Sequence, residues 1–246
     1  MKDFKGMEYL HRFNNVQEFQ DAYYGENYEQ PWIGAVGSRD SAEPPVMSYN
    51  KFNDNGHEWV DLGLPSGTLW ATMNVGAASI TDKGNEYAWG EIETKQSYTW
   101  DNYVHGYRTV NAGNYKYTFY KYNEDDGQVV LLPEDDIAHL AMGGDWRMPT
   151  TDDMDELWRN VGWTSETVDG VCMINLVSNI NGAVMQVPGR YFGLWSSSLY
   201  SSNILSYAHY LTLLDFSSRD VFSQSQSERC VARNVRGIIK PETLAR

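Results

Sequence analysis

The residues able to do chemistry are few and poorly grouped. Two pairs of carboxylates, Asp135/Asp136 and Asp152/Asp153, have the density that acid–base pairs or cation sites use. Each pair also opens a stretch of helical periodicity, where acidic side chains offset the positive end of the helix dipole, so they read as solvated first-turn residues. The histidines, His11, His57, His105, His139 and His209, are scattered, and none has the spacing of a metal-ligand motif. Cys172 and Cys230 are too few for a structural zinc site, and neither has a neighbouring base that would make a thiolate nucleophile. Free thiols are expected of both, because no secretory signal precedes them. A Gly-x-Ser-x-Gly elbow, a phosphate-binding glycine loop and a dinucleotide fingerprint are all missing from the chain. No catalytic residue, no metal and no cofactor is assigned.

The elements that must position any site form two modules. Near residues 15–24, Asn15-Val-Gln-Glu18 has a capping-box shape, and Val16, Phe19 and Tyr23 recur at helical spacing before Gly25. Gly34 to Pro45 reads as a linker or extended arm, so residues 1–55 are expected to be an N-terminal attachment or assembly arm with a short helix, and 56–240 the main domain. In that domain Trp59 to Val75 predicts a hairpin around Pro65-Ser-Gly67.

Residues 84–122, dense in Tyr and Trp and punctuated by Gly and Asn, predict short strands and loops. Their aromatic content suits a carbohydrate platform, or more simply core plus rim. Two helices follow. The first has Pro133 at its start, a buried stripe of Ile137, Leu140 and Ala141, and Gly143-Gly144 as its stop. The second is capped by Thr150 or Thr151, with Met154, Leu157, Trp158 and Val161 on one face and Gly162 as its end. From Gly170 onward short strands and turns are expected. The fold class is α+β, loop-rich, with two short helices and small antiparallel sheets.

Composition narrows the function. The 246 residues carry 19 Lys and Arg against 33 Asp and Glu, a net charge of −14, which opposes binding to nucleic acid or an anionic membrane surface. No apolar run approaches the ~20 residues of a membrane-spanning helix, so membrane insertion is not expected. The start, Met1-Lys-Asp-Phe-Lys5, is not followed by the apolar core of a signal peptide.

One stretch stands apart. From Leu199 to Ser223 there is no Lys, Glu, Gln, Met or Trp, although these five types fill 49 of the 246 positions. They are the amino acids that no codon ending in a pyrimidine encodes. That restriction is what remains when the first two bases of AAY codons are replaced at random. Residues 191–227 also hold eleven Ser, several Tyr and only three charges, Asp215, Arg219 and Asp220, the composition of binding loops in which Tyr gives rigid area and Ser adaptable hydrogen bonds.

Several segments, taken in order, resemble the C-type lectin-like variable proteins of diversity-generating retroelements, a family that includes phage major tropism determinants. They are Val60-Asp-Leu-Gly-Leu-Pro-Ser-Gly-Thr-Leu-Trp-Ala71, Gly143-Gly-Asp-Trp-Arg-Met-Pro-Thr150, Tyr191-Phe-Gly-Leu-Trp-Ser-Ser-Ser198, Ala208 to Asp215, and Arg229-Cys-Val-Ala-Arg-Asn-Val-Arg236. The resemblance spans about residues 57–238. Tyr24 to Trp32 and Tyr49-Asn-Lys51 are similar to N-terminal segments of gut phage proteins.

The resemblance implies a C-type lectin-like fold whose C-terminal segment, about 195–236, is diversified by mutagenic reverse transcription at template adenines. It implies a non-catalytic receptor-binding or adhesion protein, a phage virion component or prophage product, whose partner is a bacterial surface protein or glycan. Homo-oligomerisation would raise avidity. Within the segment Ala208, Leu211 and Leu213 are expected inside, and Tyr200, Asn203, Leu205, Tyr207, His209, Thr212, Leu214 and Asp215 outside as ligand-binding positions, with Cys230, Val231 and Arg233 where variation is usual. Arg229, Val235 and Arg236 match fixed positions. Ala232 stands where the family usually has Gly, and the Glu-Pro-Asn and Trp-Asn-Asp signatures of calcium-dependent sugar binding are missing. The alternatives are an enzyme on the related formylglycine-generating fold and a bacterial cell-surface adhesin.

Overall fold

The hairpin around Pro65-Ser-Gly67 forms as its pattern predicts. Strands β1 (Trp59–Asp61) and β2 (Leu69–Ala71) pair antiparallel, and Gly67 N–H closes the turn on Leu64 O at 2.7 Å. The computed structural model describes residues 55–190, 192–200, 206–216 and 219–240; the expected arm over 1–55 with its helix lies outside them, Asn55 excepted. Short strands follow: β3 (Glu86–Tyr87) and a ribbon of β4 (Gly106–Asn111) and β5 (Asn114–Phe119).

The two helices are short, and the first is divided. Pro133–Asp135 makes a single 3₁₀ turn, then α1 spans Ile137–Met142 with Asp136 as its cap. The expected stripe is corrected: Ile137, Ala138 and Met142 are buried, whereas Leu140 and Ala141 face water, because restarting the helix at Asp136 rotates its face. Helix α2 (Thr151–Asn160) carries a full capping box between Thr150 and Asp153. It stops at Asn160, and Gly162 lies within strand β6 (Val161–Val168) instead of ending the helix.

The second half is sheet, antiparallel in all pairs but one. β6, β7 (Val171–Ser178) and β8 (Val184–Pro188) form a meander. β9 (Phe192–Leu199), β10 (Tyr207–Phe216), β11 (Arg219–Glu228) and β12 (Arg233–Asn234) join β3 in a five-stranded sheet ordered β11-β10-β9-β12-β3, antiparallel except where Asn234 of β12 pairs parallel with Leu194 of β9, which corrects the expected purely antiparallel sheets. β6, β7 and β9 run to eight residues and β10 and β11 to ten, longer than the expected short strands. β13 (Ile238–Ile239) returns to β2, with Ile238 opposite Trp70 and Ile239 opposite Leu69. The whole is mixed α+β, mostly small sheets with two short helices.

Two hydrophobic clusters lie on opposite sides of a shared wall of strands. Leu69 and Ala71, Trp195 and Leu199, Ala208 and Tyr210, and Ile239 feed one cluster, together with Trp89 and Trp146. Trp70, Phe192 and Leu194, Leu211 and Leu213, and Ile238 feed the other, against Met154 and Leu157 of α2. Successive side chains of a strand point to opposite faces, so β2, β9, β10 and β13 are buried on both.

Candidate functional site

The compositionally restricted stretch runs from the end of β9 through residues 200–206 and β10 into the middle of β11. β10 and β11 pair over their whole length, from Tyr207 opposite Glu228 to Phe216 opposite Arg219. Strand β9 bulges where it meets β10: Ala208 faces Leu199, yet Tyr210 faces Trp195. The extra residues turn away to other partners. Ser197 N–H bonds Pro149 O at 2.7 Å, Leu131 N–H bonds Ser197 O at 2.9 Å, and the Ser198 hydroxyl accepts from Thr151 N–H at 3.1 Å. A serine run that resembles surface is therefore buried structure, satisfying the backbone groups around it.

Two arginines fix the base of this unit. Arg229, wholly buried, donates through Nε to the Tyr103 hydroxyl at 3.0 Å and through its terminal nitrogens to Tyr122 O at 3.2 Å and Lys121 O at 3.1 Å. Its guanidinium carbon lies 4.3 Å from the centre of Phe119 and 4.9 Å from Trp89. Its backbone N–H holds Ser206 O at 2.9 Å, just before β10 begins. Arg236, also wholly buried, donates to Asn74 Oδ1 and Gln186 O, each at 2.8 Å, and Nη2 finds no acceptor among the described residues. Burial without a carboxylate pulls its pKa down to about 9.

The expected binding residues divide between two places. Tyr200 and His209 meet, ring centres 5.2 Å apart, both half-buried; burial lowers the His209 pKa and the Asp155 carboxylate opposes the shift. Tyr207 is half-buried at the start of β10. Arg233 lies elsewhere, on β12. Its guanidinium carbon sits 3.4 Å from the centre of the Tyr210 ring and 5.3 Å from Trp195. Gly193 makes this seat possible, since a Cβ there would stand 2.6 Å from Arg233 Nη1. Val231 packs half-buried against the first cluster.

Two expected positions are corrected. Thr212 is fully buried and donates its hydroxyl to Phe192 O at 2.8 Å, because both faces of β10 are covered and in–out alternation does not apply there. Cys230 is 5% exposed among Ala88, Trp100 and Tyr103, where burial pushes its thiol up to about 11. Asn203 and Leu205 lie outside the described residues, and of Leu214 and Asp215 only the backbone pairing, opposite Val221 and Asp220, is described.

The sequence passes over β11. Ser223, Gln224, Ser225 and Ser227 are half-buried and Gln226 is exposed, opposite Thr212, Leu211, Tyr210, Ala208 and His209. Gln224 also reaches Asp155 on α2. Fixing the hairpin turn between Phe216 and Arg219 would have found them, since pairing then follows by counting.

The paired carboxylates hold structure together, and the expectation that they are simply solvated needs correction for two of them. Asp136 is 5% exposed and accepts from His139 N–H at 3.0 Å and Met148 N–H at 2.8 Å; burial outweighs these bonds and raises its pKa. Asp153 is 8% exposed and pairs with Arg147 at 2.8 Å while closing the capping box. Asp135 joins Lys121 and the Tyr122 hydroxyl, and Asp152 stays exposed.

Among the described residues no three His, Cys, Asp or Glu side chains group as a metal site requires, and no helix is long and apolar enough to cross a membrane. Cys172 and Cys230 are both free thiols. A shallow hollow of about 420 Å³ at the β3 edge, lined by Lys83, Glu86, Lys95, Tyr98 and Asn234, lies apart from the half-exposed positions of β10 and β11. Comparison with protein-family models, with curated proteins and with solved structures finds no match.

Proposed function

We propose that the chain is a non-catalytic binding protein with a C-type lectin-like fold, whose segment from about 195 to 236 is diversified by a retroelement and recognises a ligand on a bacterial surface. The observation that carries this reading is a coincidence of boundaries. The stretch lacking Lys, Glu, Gln, Met and Trp, Leu199 to Ser223, covers residues 200–206, all of β10 and the first half of β11, while the buried clamps Arg229 and Arg236 fall beyond it. The restricted stretch is thus a hairpin whose base is held by residues outside it. The ligand would meet Tyr200, Tyr207, His209 and Gln226, which share one face of the hairpin and offer rings and polar groups, while Ser225 and Arg233 lie on the other face beside Tyr210. A bacterial surface protein or glycan fits such a face, and the protein would be carried by a phage particle, with residues 1–55 for attachment or assembly.

The test is the DNA beside the gene. A near-copy of the 195–236 coding segment, differing from it at adenines and lying next to a reverse transcriptase gene, is expected. A complete source genome without such a copy overturns the retroelement. A thiol-dependent turnover lost on Cys230→Ser would instead establish an enzyme, against which the burial and raised pKa of Cys230 argue.

A further inference from the structure

The β4–β5 ribbon is a basic, aromatic outlier on an acidic protein. Between Asp101 and Glu124 the chain has no Asp or Glu and carries Arg108, Lys116 and Lys121, against a net charge of −14 overall. Pairing divides the ribbon into two faces. Arg108, Val110, Tyr115, Tyr117 and Phe119 share one, and Tyr107, Thr109, Lys116 and Thr118 share the other. Tyr120 extends the second face, its N–H bonded to His105 O at 2.9 Å.

The first face is used by the fold at Tyr117, Phe119 and Arg108, while Val110 and Tyr115 near the ribbon's tip are exposed. Tyr117 and Phe119 meet Trp100 edge-on, with ring centres 5.0 and 6.0 Å away, and Arg108 lies 3.5 Å from Glu228. The second face is not. Tyr120 is 68% exposed and Tyr107 39%, their rings paired at 5.9 Å and inclined by 43°. A ribbon with one packed face should present polar side chains on the other, and a tyrosine pair in water contributes little to folding. Beyond the pair stand the hydroxyls of Thr118 and Thr109 and then Lys116, which no carboxylate among the described residues approaches as an ion pair.

We propose that this face is a fixed subsite for an anionic glycan of the uronic-acid class. Tyr107 and Tyr120 stack on sugar rings, Thr109 and Thr118 bond sugar hydroxyls, and Lys116 pairs with a carboxylate further along the same chain. Single-stranded nucleic acid also uses aromatic and basic groups together, but it needs a row of cations along the backbone. Here Arg108 and Lys121 are already engaged, by Glu228 and by Glu134 with Asp135, which leaves Lys116 alone on the face. One cation beside paired rings fits a sparsely charged sugar chain.

The subsite lies outside 195–236, so it stands or falls apart from the reading above. Binding of the full chain to hyaluronan, which carries one carboxylate per disaccharide, to neutral dextran and to poly-uridylate decides it. Hyaluronan is expected to bind, weakening with salt, and dextran not to. Tyr120→Ala and Lys116→Glu should each weaken binding at least about fivefold, with thermal unfolding unchanged, while substitutions within 199–223 leave it intact. Failure to bind hyaluronan overturns the proposal, as does equal loss in the 199–223 variants. Tighter binding to poly-uridylate would assign the face to nucleic acid. A dimer dissolved by Tyr120→Ala would assign it to a second copy.

Discussion

Arg229 donates to the hydroxyl of Tyr103 at 3.0 Å with its guanidinium sealed from water among Trp89, Phe119 and Tyr122. Three acceptors, one from a side chain and two from the backbone, depend on a single planar fork. Arg229→Met leaves all three without this donor in a dry interior and should cost about 3 kcal/mol or more. Arg229→Lys should recover only part of this, because an ammonium cannot reach all three acceptors. Urea denaturation of the two variants checks the order; a Met variant as stable as the parent would show that the clamp contributes nothing.

Gly193→Ala tests the seat of Arg233. The added Cβ meets the movable end of the arginine side chain, so the stability cost should stay under about 1 kcal/mol. Arg233 must nevertheless leave the Tyr210 ring. Its Nε–H resonance, shifted in the parent by the ring current of Tyr210, should move toward the ordinary arginine position, and an unmoved resonance would refute the steric account.

The start of α2 offers a graded series. Thr150→Ala removes the hydroxyl that accepts from Asp153 N–H at 3.3 Å and should cost about 1 kcal/mol. Asp153→Ala should cost more, since it also strips the Arg147 pair and the bond from Thr150 N–H. Burial works to raise the Asp153 pKa, but Arg147 and Thr150 prevail and hold it low. Its contribution is therefore complete above the unfolded value of 3.8 and is lost as pH falls through the lower folded value. Thermal melts from pH 5 to pH 2 should show parent and Asp153→Ala converging.

His105 supplies a second pH dependence at higher pH. Burial lowers its pKa below the ordinary 6.5, against the Gly90 carbonyl and the Asp135 carboxylate, which favour the charged form. Below about pH 6.5 the unfolded chain binds a proton that the folded chain resists, so stability falls on acidification. One proton limits the slope to about 1.4 kcal/mol per pH unit. Denaturation midpoints at pH 7.5 and pH 5.5 should differ less in His105→Gln than in the parent.

The two thiols should separate by rate. Cys172 is half-buried, while Cys230 is buried with its pKa pushed up to about 11. Near pH 8 Ellman's reagent should label one thiol promptly and the second only after unfolding. Equal rates would contradict the packing of Cys230 against Trp100 and Tyr103.

Local signals carried most of what was legible. The Pro65-Ser-Gly67 turn, the Thr150 cap and the strand character of 84–122 each depend on residues within a few positions of one another, and each appears in the structure. Thr212 and Leu140 were misread for a different reason. Whether a strand face meets water depends on what packs against it from far along the chain, and β10 lies between two clusters assembled from both halves of the molecule. Gly162 looked like a helix stop because glycine commonly is one, yet here it pairs with Val177 inside a sheet. Likewise Arg233 was legible as a candidate, but not its stacking on Tyr210, which depends on Gly193 from another strand.

The position of β11 at the end of its sheet has a consequence for tolerance to change. An inner strand has its register dictated from both sides, so an error there spreads to two neighbours. The hairpin of β10 and β11 answers to β9 alone, through the partners of Ala208, Tyr210, Leu211, Thr212 and Leu213. Side chains along its outer strand can be exchanged with no other strand obliged to shift, the tie of Gln224 to Asp155 on α2 excepted. The arrangement works like a replaceable blade in a fixed handle.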